Sequence, residues 1–75
     1  MAIPLPNFVA LDSTSLAGAA YDSEHLILSL QFHNGAIYSY FDVQPQVYQE
    51  LLSASSKGTF FHGSIRSRFR FHRLT

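Results

Sequence analysis

The chain has no cysteine and no long uninterrupted apolar run. The absence of cysteine excludes disulfides, thiol nucleophiles and cysteine-rich zinc sites, and it favours the cytoplasm because small secreted domains usually need such crosslinks. No segment approaches the roughly 20 apolar residues of a membrane span. The N-terminal Met-Ala-Ile-Pro-Leu-Pro also lacks the basic region and the apolar core of a signal peptide. We therefore expect a cytoplasmic protein with no membrane partner.

Catalytic and metal-binding motifs are also missing. The sequence has no G-x-S-x-G element, no glycine-rich phosphate loop and no evident pair of carboxylates. Its four histidines do not follow the spacing of a metal site. The sequence therefore predicts a protein that is not an enzyme and that holds no cofactor and no metal. The histidines are His25, His33, His62 and His72.

Positive charge is absent from the first 56 residues. All five acidic residues lie in that part and all five basic residues follow it, so the net charge is −5 for residues 1–56 and +5 for residues 57–75. Aromatic residues alternate with the cations in the last segment. Such asymmetry indicates a partner of opposite charge, with nucleic acid as the first candidate. The cations are Lys57, Arg66, Arg68, Arg70 and Arg73.

The length of 75 residues and the 47% hydrophobic content indicate one small globular domain. A chain of this size buries only about 60% of the surface that its unfolded form exposes, so the core is thin. Pro4 and Pro6 suggest an extended start. We expect a loosely ordered lead-in over residues 1–12 and a single domain over residues 13–75.

A β-hairpin is the strongest local prediction. Residues 16–21 form a first short strand, and residues 26–32 alternate apolar and polar side chains as a half-buried strand does. Asn34 and Gly35 then form a dipeptide that tolerates positive φ at both positions of a two-residue turn, and residues 36–41 return. These segments predict a three-stranded antiparallel meander.

The two-residue turn fixes which side chains share a face, because side chains alternate along a strand. With His33 opposite Ala36, Tyr38 and Tyr40 fall on the more polar face, beside Ile27, Ser29 and Gln31. The other face is the predicted core side. It holds Leu26, Leu28, Leu30, Phe32, Ile37 and Phe41.

One helix is predicted after the meander. Pro45 suits the first helical position, an apolar stripe follows, and Gly58 suits a left-handed cap after the last turn. The tail is predicted as a turn that becomes extended near Phe69. The alternative is a strand that places three arginines on one face, namely Arg66, Arg68 and Arg70. The fold class is α+β: a three-stranded antiparallel meander, one helix on its apolar face and a C-terminal extended or strand segment.

These elements, in this order, resemble the KTSC domain, a family that occurs at the C-terminus of some lysyl-tRNA synthetases and as a free-standing small bacterial protein. The resemblance covers roughly residues 13–74. It rests on Ser13-Thr14-Ser15, Ala20-Tyr21-Asp22, Asn34-Gly35, Tyr38-Ser39-Tyr40, Val43 through Val47-Tyr48, Ala54-x-Ser56-x-Gly58, Phe60-Phe61, Ile65-Arg66 and Phe69.

The resemblance maps the family's Tyr-x-Tyr onto Tyr38 and Tyr40. It implies no known activity, although the synthetase context has suggested RNA binding. Two departures stand out. The family often has Val-Pro before the helix, where this chain has Val43-Gln44, and it often has Tyr-Pro-Tyr near the end, where this chain has Phe69-Arg70-Phe71. The second departure removes two hydroxyls and adds a cation.

The first functional hypothesis is a non-enzymatic nucleic-acid-binding module, for RNA more than DNA. Tyr38 and Tyr40 would stack on bases, and the five cations would contact phosphates, giving a slope of log affinity against log salt of about −3.5 on single strands. In the alternative for these residues, the tyrosines pack under the C-terminal segment and the arginines pair with Asp22, Glu24 or Glu50. The second functional hypothesis is a protein-interaction module or a homo-oligomer with complementary charged surfaces. A monomer is the expected state.

Overall fold

The computed structural model describes residues 8–75. Five strands form one antiparallel sheet in the order of the chain, and two helices lie between the fourth and fifth strands. None of the described helices is long and apolar enough to cross a membrane. The elements are β1 (Val9–Ala10), β2 (Leu16–Asp22), β3 (Ile27–Phe32), β4 (Ile37–Tyr40), α1 (Pro45–Ser53), α2 (Lys57–Ser64) and β5 (Phe71–Arg73).

The α+β class and the antiparallel meander are confirmed. The sheet has five strands where the sequence predicted three, and the fold has two helices where the sequence predicted one. The extra strands are the two short edges of the sheet. β1 pairs with β2 through Val9 and Ala10, so part of the expected lead-in joins the sheet. The rest of that lead-in, residues 1–7, lies outside the described residues, and the domain boundary at residue 13 stays a prediction.

The β3–β4 hairpin forms where it was predicted, but its loop has three residues instead of two. The Phe32 amide donates to the Ala36 carbonyl at 2.9 Å, and the Gly35 amide donates to the Phe32 carbonyl at 3.0 Å. Gly35 has a φ of 93°, whereas Asn34 is not among the described residues with positive φ. This is a type I turn followed by a left-handed glycine, the usual three-residue hairpin loop.

The longer loop shifts the register by one residue and turns β4 over. Leu30 pairs with Tyr38 and Leu28 with Tyr40, so the tyrosines share a face with the buried leucines. The predicted polar face for Tyr38 and Tyr40 is therefore wrong. The predicted core positions of Ile37 and Phe41 are wrong as well, because a slip of one residue exchanges the two faces of a strand.

Both helices contribute to a single core on this face. The fully buried Leu16, Leu28 and Leu30 of the sheet belong to one cluster with Leu51 of α1 and with Phe61 of α2. Tyr21 fixes the start of the helical part, since its hydroxyl donates to the Val43 carbonyl at 2.6 Å and its ring stacks on Tyr48. On the opposite face of the sheet, Ser29 of β3 and Ser39 of β4 are register partners. There the hydroxyls of Ser29 and Ser39, both buried, lie 2.8 Å apart.

The predicted helix corresponds to α1, and a second helix, α2, follows it in the segment that was predicted as part of the tail. α1 ends at Ser53, and Ser56 begins α2 as its N-cap, with its hydroxyl accepting from the Thr59 amide. Gly58 is therefore not a left-handed cap. It lies in the first turn of α2, where a Cβ atom would stand 3.0 Å from the Ser15 hydroxyl. The glycine allows this helix to approach the start of β2 closely.

The tail turns and then extends, as predicted. Residues 65–69 form turns and β5 follows, paired with β4. The Phe41 amide donates to the Arg70 carbonyl at 2.9 Å, and the Leu74 amide donates to the Ile37 carbonyl at 2.7 Å. The alternative strand that would align Arg66, Arg68 and Arg70 on one face is not present.

Candidate functional site

A cleft of about 460 Å³ opens between β4, β5 and the C-terminal half of α2. We call it the tyrosine cleft. Its wall combines aromatic rings with two guanidinium groups, and it includes no carboxylate. The lining residues are Phe32, Asn34, Ala36, Tyr38, Tyr40, Phe61, His62, Arg66, Phe71 and Arg73.

Tyr40 is the buried aromatic of the cleft. Only 3% of its surface is exposed, and the rings of Phe61 and Phe71 lie with their centroids 5.8 Å from its own. Burial is the main cause that raises the pKa of Tyr40 to about 12; the neighbouring Tyr38 phenol also raises this pKa, and Arg66 acts in the opposite direction. Its hydroxyl makes no hydrogen bond to another of residues 8–75.

Tyr38 is half-buried and connects the core to the arginines. Its ring stacks on Tyr40 with centroids 6.4 Å apart and an interplanar angle of 21°. On its other side the guanidinium carbon of Arg73 lies 5.7 Å from the ring centroid, which is cation–π distance. Phe71 completes the group at 5.6 Å from Tyr38. These contacts follow from the strand pairing, because Arg73 is the β5 partner of Tyr38 and Phe71 is the β5 partner of Tyr40.

Arg66 reaches the cleft from the end of α2. Its backbone amide donates to the Phe61 carbonyl at 2.9 Å, which closes the last helical turn. Its guanidinium Nη1 lies 3.4 Å from His62 Nδ1. Because Arg66 lowers the pKa of the Tyr40 phenol, its positive charge acts on the floor of the cleft. Arg66 and Arg73 thus bring two cations to the same cleft.

A second concavity of about 720 Å³ lies beside the first. We call it the outer groove. Arg68 and Arg70 line it, and Arg70 forms an exposed ion pair with Asp42 at 3.6 Å. Phe71, which is 55% exposed, lines both the tyrosine cleft and the outer groove. The outer groove is completed by Phe41, Ser67, Phe69 and His72.

Lys57 lies apart from both concavities. Its ammonium group donates to the Ala54 carbonyl at 3.0 Å and caps the end of α1. It lines a third, more polar depression with residues such as Asp12 and Ser13. His62 lines this depression as well as the tyrosine cleft.

Of the seven predicted site residues, the structure brings four together in the tyrosine cleft: Tyr38, Tyr40, Arg66 and Arg73. Arg68 and Arg70 line the outer groove, and Lys57 is separate. Phe71, Phe61 and His62 were not among the predicted site residues. The sequence signal that could have identified all three is their position in the basic, aromatic segment after residue 56.

The expected internal charge pairing is limited in the described part of the chain. The arginines do not pair with Asp22, Glu24 or Glu50, and Arg70 pairs with Asp42. Asp22 instead accepts hydrogen bonds from the backbone and ring of His25 within a turn. The hydrogen bond with Asp22 raises the pKa of His25 and lowers that of Asp22. The turn brings Asp22, Glu24 and His25 within 4.8 Å of one another, all exposed.

A five-stranded antiparallel sheet with two helices on one face and a basic, aromatic cleft defines a small α+β domain. The family model of the KTSC domain matches residues 12–69, and the chain belongs to this family. A crystal structure of a KTSC domain protein from Yersinia pestis superimposes with a TM-score of 0.87 at 29% sequence identity, over 95% of this chain and all of that one.

Two kinds of relative share the sequence. A protein of Tsukamurella paurometabola is 42% identical over 60 residues, which are 80% of this chain and 90% of that protein. An uncharacterised protein of Stutzerimonas stutzeri is 42% identical over 67 residues, 88% of this chain and 94% of that protein. A lysine–tRNA ligase of Trichormus variabilis is 38% identical over 55 residues, which are 73% of this chain but only 10% of the ligase.

Proposed function

We propose that this protein is a non-enzymatic module that binds single-stranded nucleic acid, RNA in preference to DNA, in the tyrosine cleft. The observation that carries the proposal is the composition of the cleft wall: stacked aromatic rings, two guanidinium groups and no carboxylate. Aromatic faces and guanidinium groups are the two elements with which proteins hold single strands.

The charge of the cleft favours a phosphate ligand. Arg66 and Arg73 are exposed, and neither forms an ion pair with an Asp or Glu side chain of residues 8–75. The Arg73 Nε–H donates to the Thr75 backbone oxygen, so a phosphate at Arg73 would compete with that hydrogen bond. The guanidinium fork suits bidentate contact with phosphate oxygens.

The aromatic residues of the tyrosine cleft have two roles, packing in the core and stacking on a ligand. Tyr40 is buried and supports the floor, whereas Phe71 is 55% exposed and offers a free face. Base stacking on one aromatic ring contributes about 1–3 kcal/mol, so Phe71 is the expected stacking residue and Tyr38 its neighbour.

The ligase relatives support RNA over other anions. A lysine–tRNA ligase acts on tRNA, and the matching segment is about a tenth of that enzyme. A weak RNA contact attached to such an enzyme would raise the local concentration of its substrate without taking part in the chemistry. A free-standing copy would keep the same contact.

The test is fluorescence anisotropy with a labelled single-stranded RNA, titrated with protein between about 50 and 200 mM salt. Phe71→Ala should weaken binding by about 5- to 100-fold, the effect of one lost stacking contact. Replacing both Arg66 and Arg73 by glutamine should make the slope of log affinity against log salt shallower by about 1.4, since each phosphate contact on a single strand contributes about 0.7.

Lys57→Gln is the control, because it removes one positive charge at a place outside the cleft, against the two charges that the double arginine variant removes within it. It should leave the slope unchanged. Absence of binding at about 50 mM salt and high micromolar protein would refute the proposal. A slope that changes with Lys57→Gln and not with the double arginine variant would also refute it. Equal affinity for DNA of the same sequence would refute the preference for RNA.

A further inference from the structure

Phe71 stands between two basic concavities and lines both of them. On one side the tyrosine cleft presents Arg66 and Arg73, and on the other the outer groove presents Arg68 and Arg70. Four cations therefore flank one exposed aromatic ring. A ligand confined to the tyrosine cleft would use only half of this surface.

The two pairs of cations lie on different sides of Phe71. Arg70 directly precedes β5 and Arg73 is its last residue, so their Cα atoms are about 10 Å apart at a strand rise of about 3.3 Å per residue. A mononucleotide carries a single phosphate and can contact the cations of one concavity. A strand of at least about three nucleotides carries phosphates on both sides of a stacked base and can contact the cations of both concavities.

We infer that the ligand is a single strand that crosses Phe71 and occupies the tyrosine cleft and the outer groove together. One base stacks on the Phe71 ring, phosphates on one side contact Arg66 and Arg73, and phosphates on the other side contact Arg68 and Arg70. This inference rests on the proposed function and extends its footprint. A duplex does not fit the arrangement, because its bases are already stacked and cannot receive the ring.

Asp42 gives this path an internal competitor. Its carboxylate lies 3.6 Å from the Arg70 guanidinium, with both side chains at least 80% exposed. Such an exposed pair is weak. A phosphate that contacts Arg70 would displace the Asp42 carboxylate or be repelled by it. Asp42 has a φ of 60°, a conformation that asparagine tolerates as readily as aspartate. Asp42→Asn therefore removes the charge and preserves the backbone.

The experiment compares uridine monophosphate with an oligouridylate of eight residues, using isothermal titration or NMR shifts. Asp42→Asn should tighten binding of the octamer by about two- to fivefold and leave the mononucleotide unchanged. Replacing Arg68 and Arg70 by glutamine should make the octamer's salt slope shallower by about 1.4 and leave the mononucleotide unchanged. Misfolding lowers affinity, so a gain of affinity in the Asp42 variant cannot be explained by loss of structure.

Two results would overturn the inference. If the octamer is insensitive to Asp42→Asn and to the Arg68/Arg70 variant but still responds to the Arg66/Arg73 variant, the ligand is confined to the tyrosine cleft and only the extended path is wrong. If a self-complementary duplex of the same length binds as tightly as the single strand, the stacking on Phe71 is wrong. Failure of every oligonucleotide to bind the wild-type protein overturns the proposed function itself.

Discussion

Replacing Tyr40 by alanine should destabilise the protein by about 3–5 kcal/mol, the cost of truncating a large aromatic side chain in a core. Tyr40 is only 3% exposed and contacts the rings of Phe61 and Phe71. Tyr38→Ala is the matched comparison on the same strand. Because Tyr38 is half-buried, it loses less apolar area on truncation and its replacement should cost about 1–2 kcal/mol.

The hydroxyl of Tyr40 should matter far less than its ring. It has no hydrogen-bond partner among residues 8–75, so Tyr40→Phe should change stability by less than about 1 kcal/mol. Urea unfolding followed by far-ultraviolet circular dichroism measures all three variants. A small domain has about 5–15 kcal/mol of total stability, so Tyr40→Ala should lower the midpoint strongly while the slope with urea stays the same.

The titration of Tyr40 should report its burial as well. Tyr40 ionises at a pKa of about 12 in the folded protein because it is buried, whereas an unfolded tyrosine ionises near 10. The folded state therefore holds this proton more tightly, and stability should fall as pH rises from about 10 to about 12. Ultraviolet absorbance of the phenolate detects the late titration in wild type, and Tyr40→Phe should remove it.

These measurements test the register of the hairpin. In a two-residue loop both tyrosines would lie on the polar face, both alanine variants would cost about 1 kcal/mol or less, and Tyr40 would lose the burial that raises its pKa. Equal, small costs for Tyr38→Ala and Tyr40→Ala would therefore refute the three-residue loop and the cleft built on it.

Three further outcomes are expected. Gly35→Ala should destabilise the protein by about 1 kcal/mol because Gly35 has a φ of 93°. Gly35→Asn should cost less, because asparagine tolerates positive φ better than alanine does. Equal costs in urea unfolding would contradict the left-handed conformation of residue 35. Asp22→Asn should lower the pKa of His25, because it removes the carboxylate that raises this pKa most. NMR titration of the ring measures the change, and an unchanged pKa would exclude the pairing. Ser39→Ala should destabilise the protein by about 1–3 kcal/mol, because it leaves the Ser29 hydroxyl unpaired. Alanine at both positions should recover much of this loss, as measured by thermal unfolding. Additive losses for the two substitutions would contradict the mutual hydrogen bond.

The hairpin illustrates what a local pattern can and cannot predict. The alternation of residues 26–32 reports a half-buried strand, and Asn34-Gly35 reports a turn, so the hairpin was placed correctly. The register depends on one further choice, whether the loop has two residues or three, and Asn-Gly is compatible with both. That choice is decided by burial, since only the three-residue loop places the two tyrosine rings against the core.

The second helix was missed for a different reason. Lys57-Gly58-Thr59 is a poor helix start by propensity, because glycine costs about 1 kcal/mol relative to alanine. α2 forms nevertheless because Phe61 and, just beyond its end, Ile65 are buried in the core, and tertiary packing outweighs propensity. The sequence signal for its start was the Ser56 N-cap, but the segment that ends at Gly58 was interpreted as the end of the preceding helix.

The candidate site combines local and non-local information. The accumulation of arginines and aromatics after residue 56 is visible in the sequence. Arg66 and Arg73, however, share the tyrosine cleft only because the chain turns over residues 65–69 and β5 then pairs with β4. The pairing of an edge strand of three residues is not encoded in its own sequence, so Phe71 was not recognised as the residue common to both concavities.

The two interpretations of Tyr38 and Tyr40, base stacking and internal packing, are compatible once the residues are considered separately. Tyr40 is buried and belongs to the core, so its truncation acts mainly on folding, whereas Phe71 has more than half of its surface free, so its truncation acts mainly on a bound ligand. Tyr38 lies between them and contacts both rings. The expected order of effects on stability is Tyr40, Tyr38, Phe71, and on RNA affinity in the folded variants Phe71, Tyr38, Tyr40. Because the two orders run in opposite directions, a general loss of structure cannot reproduce both, and measuring the two series on the same three variants separates the structural role of the aromatic group from its role in binding.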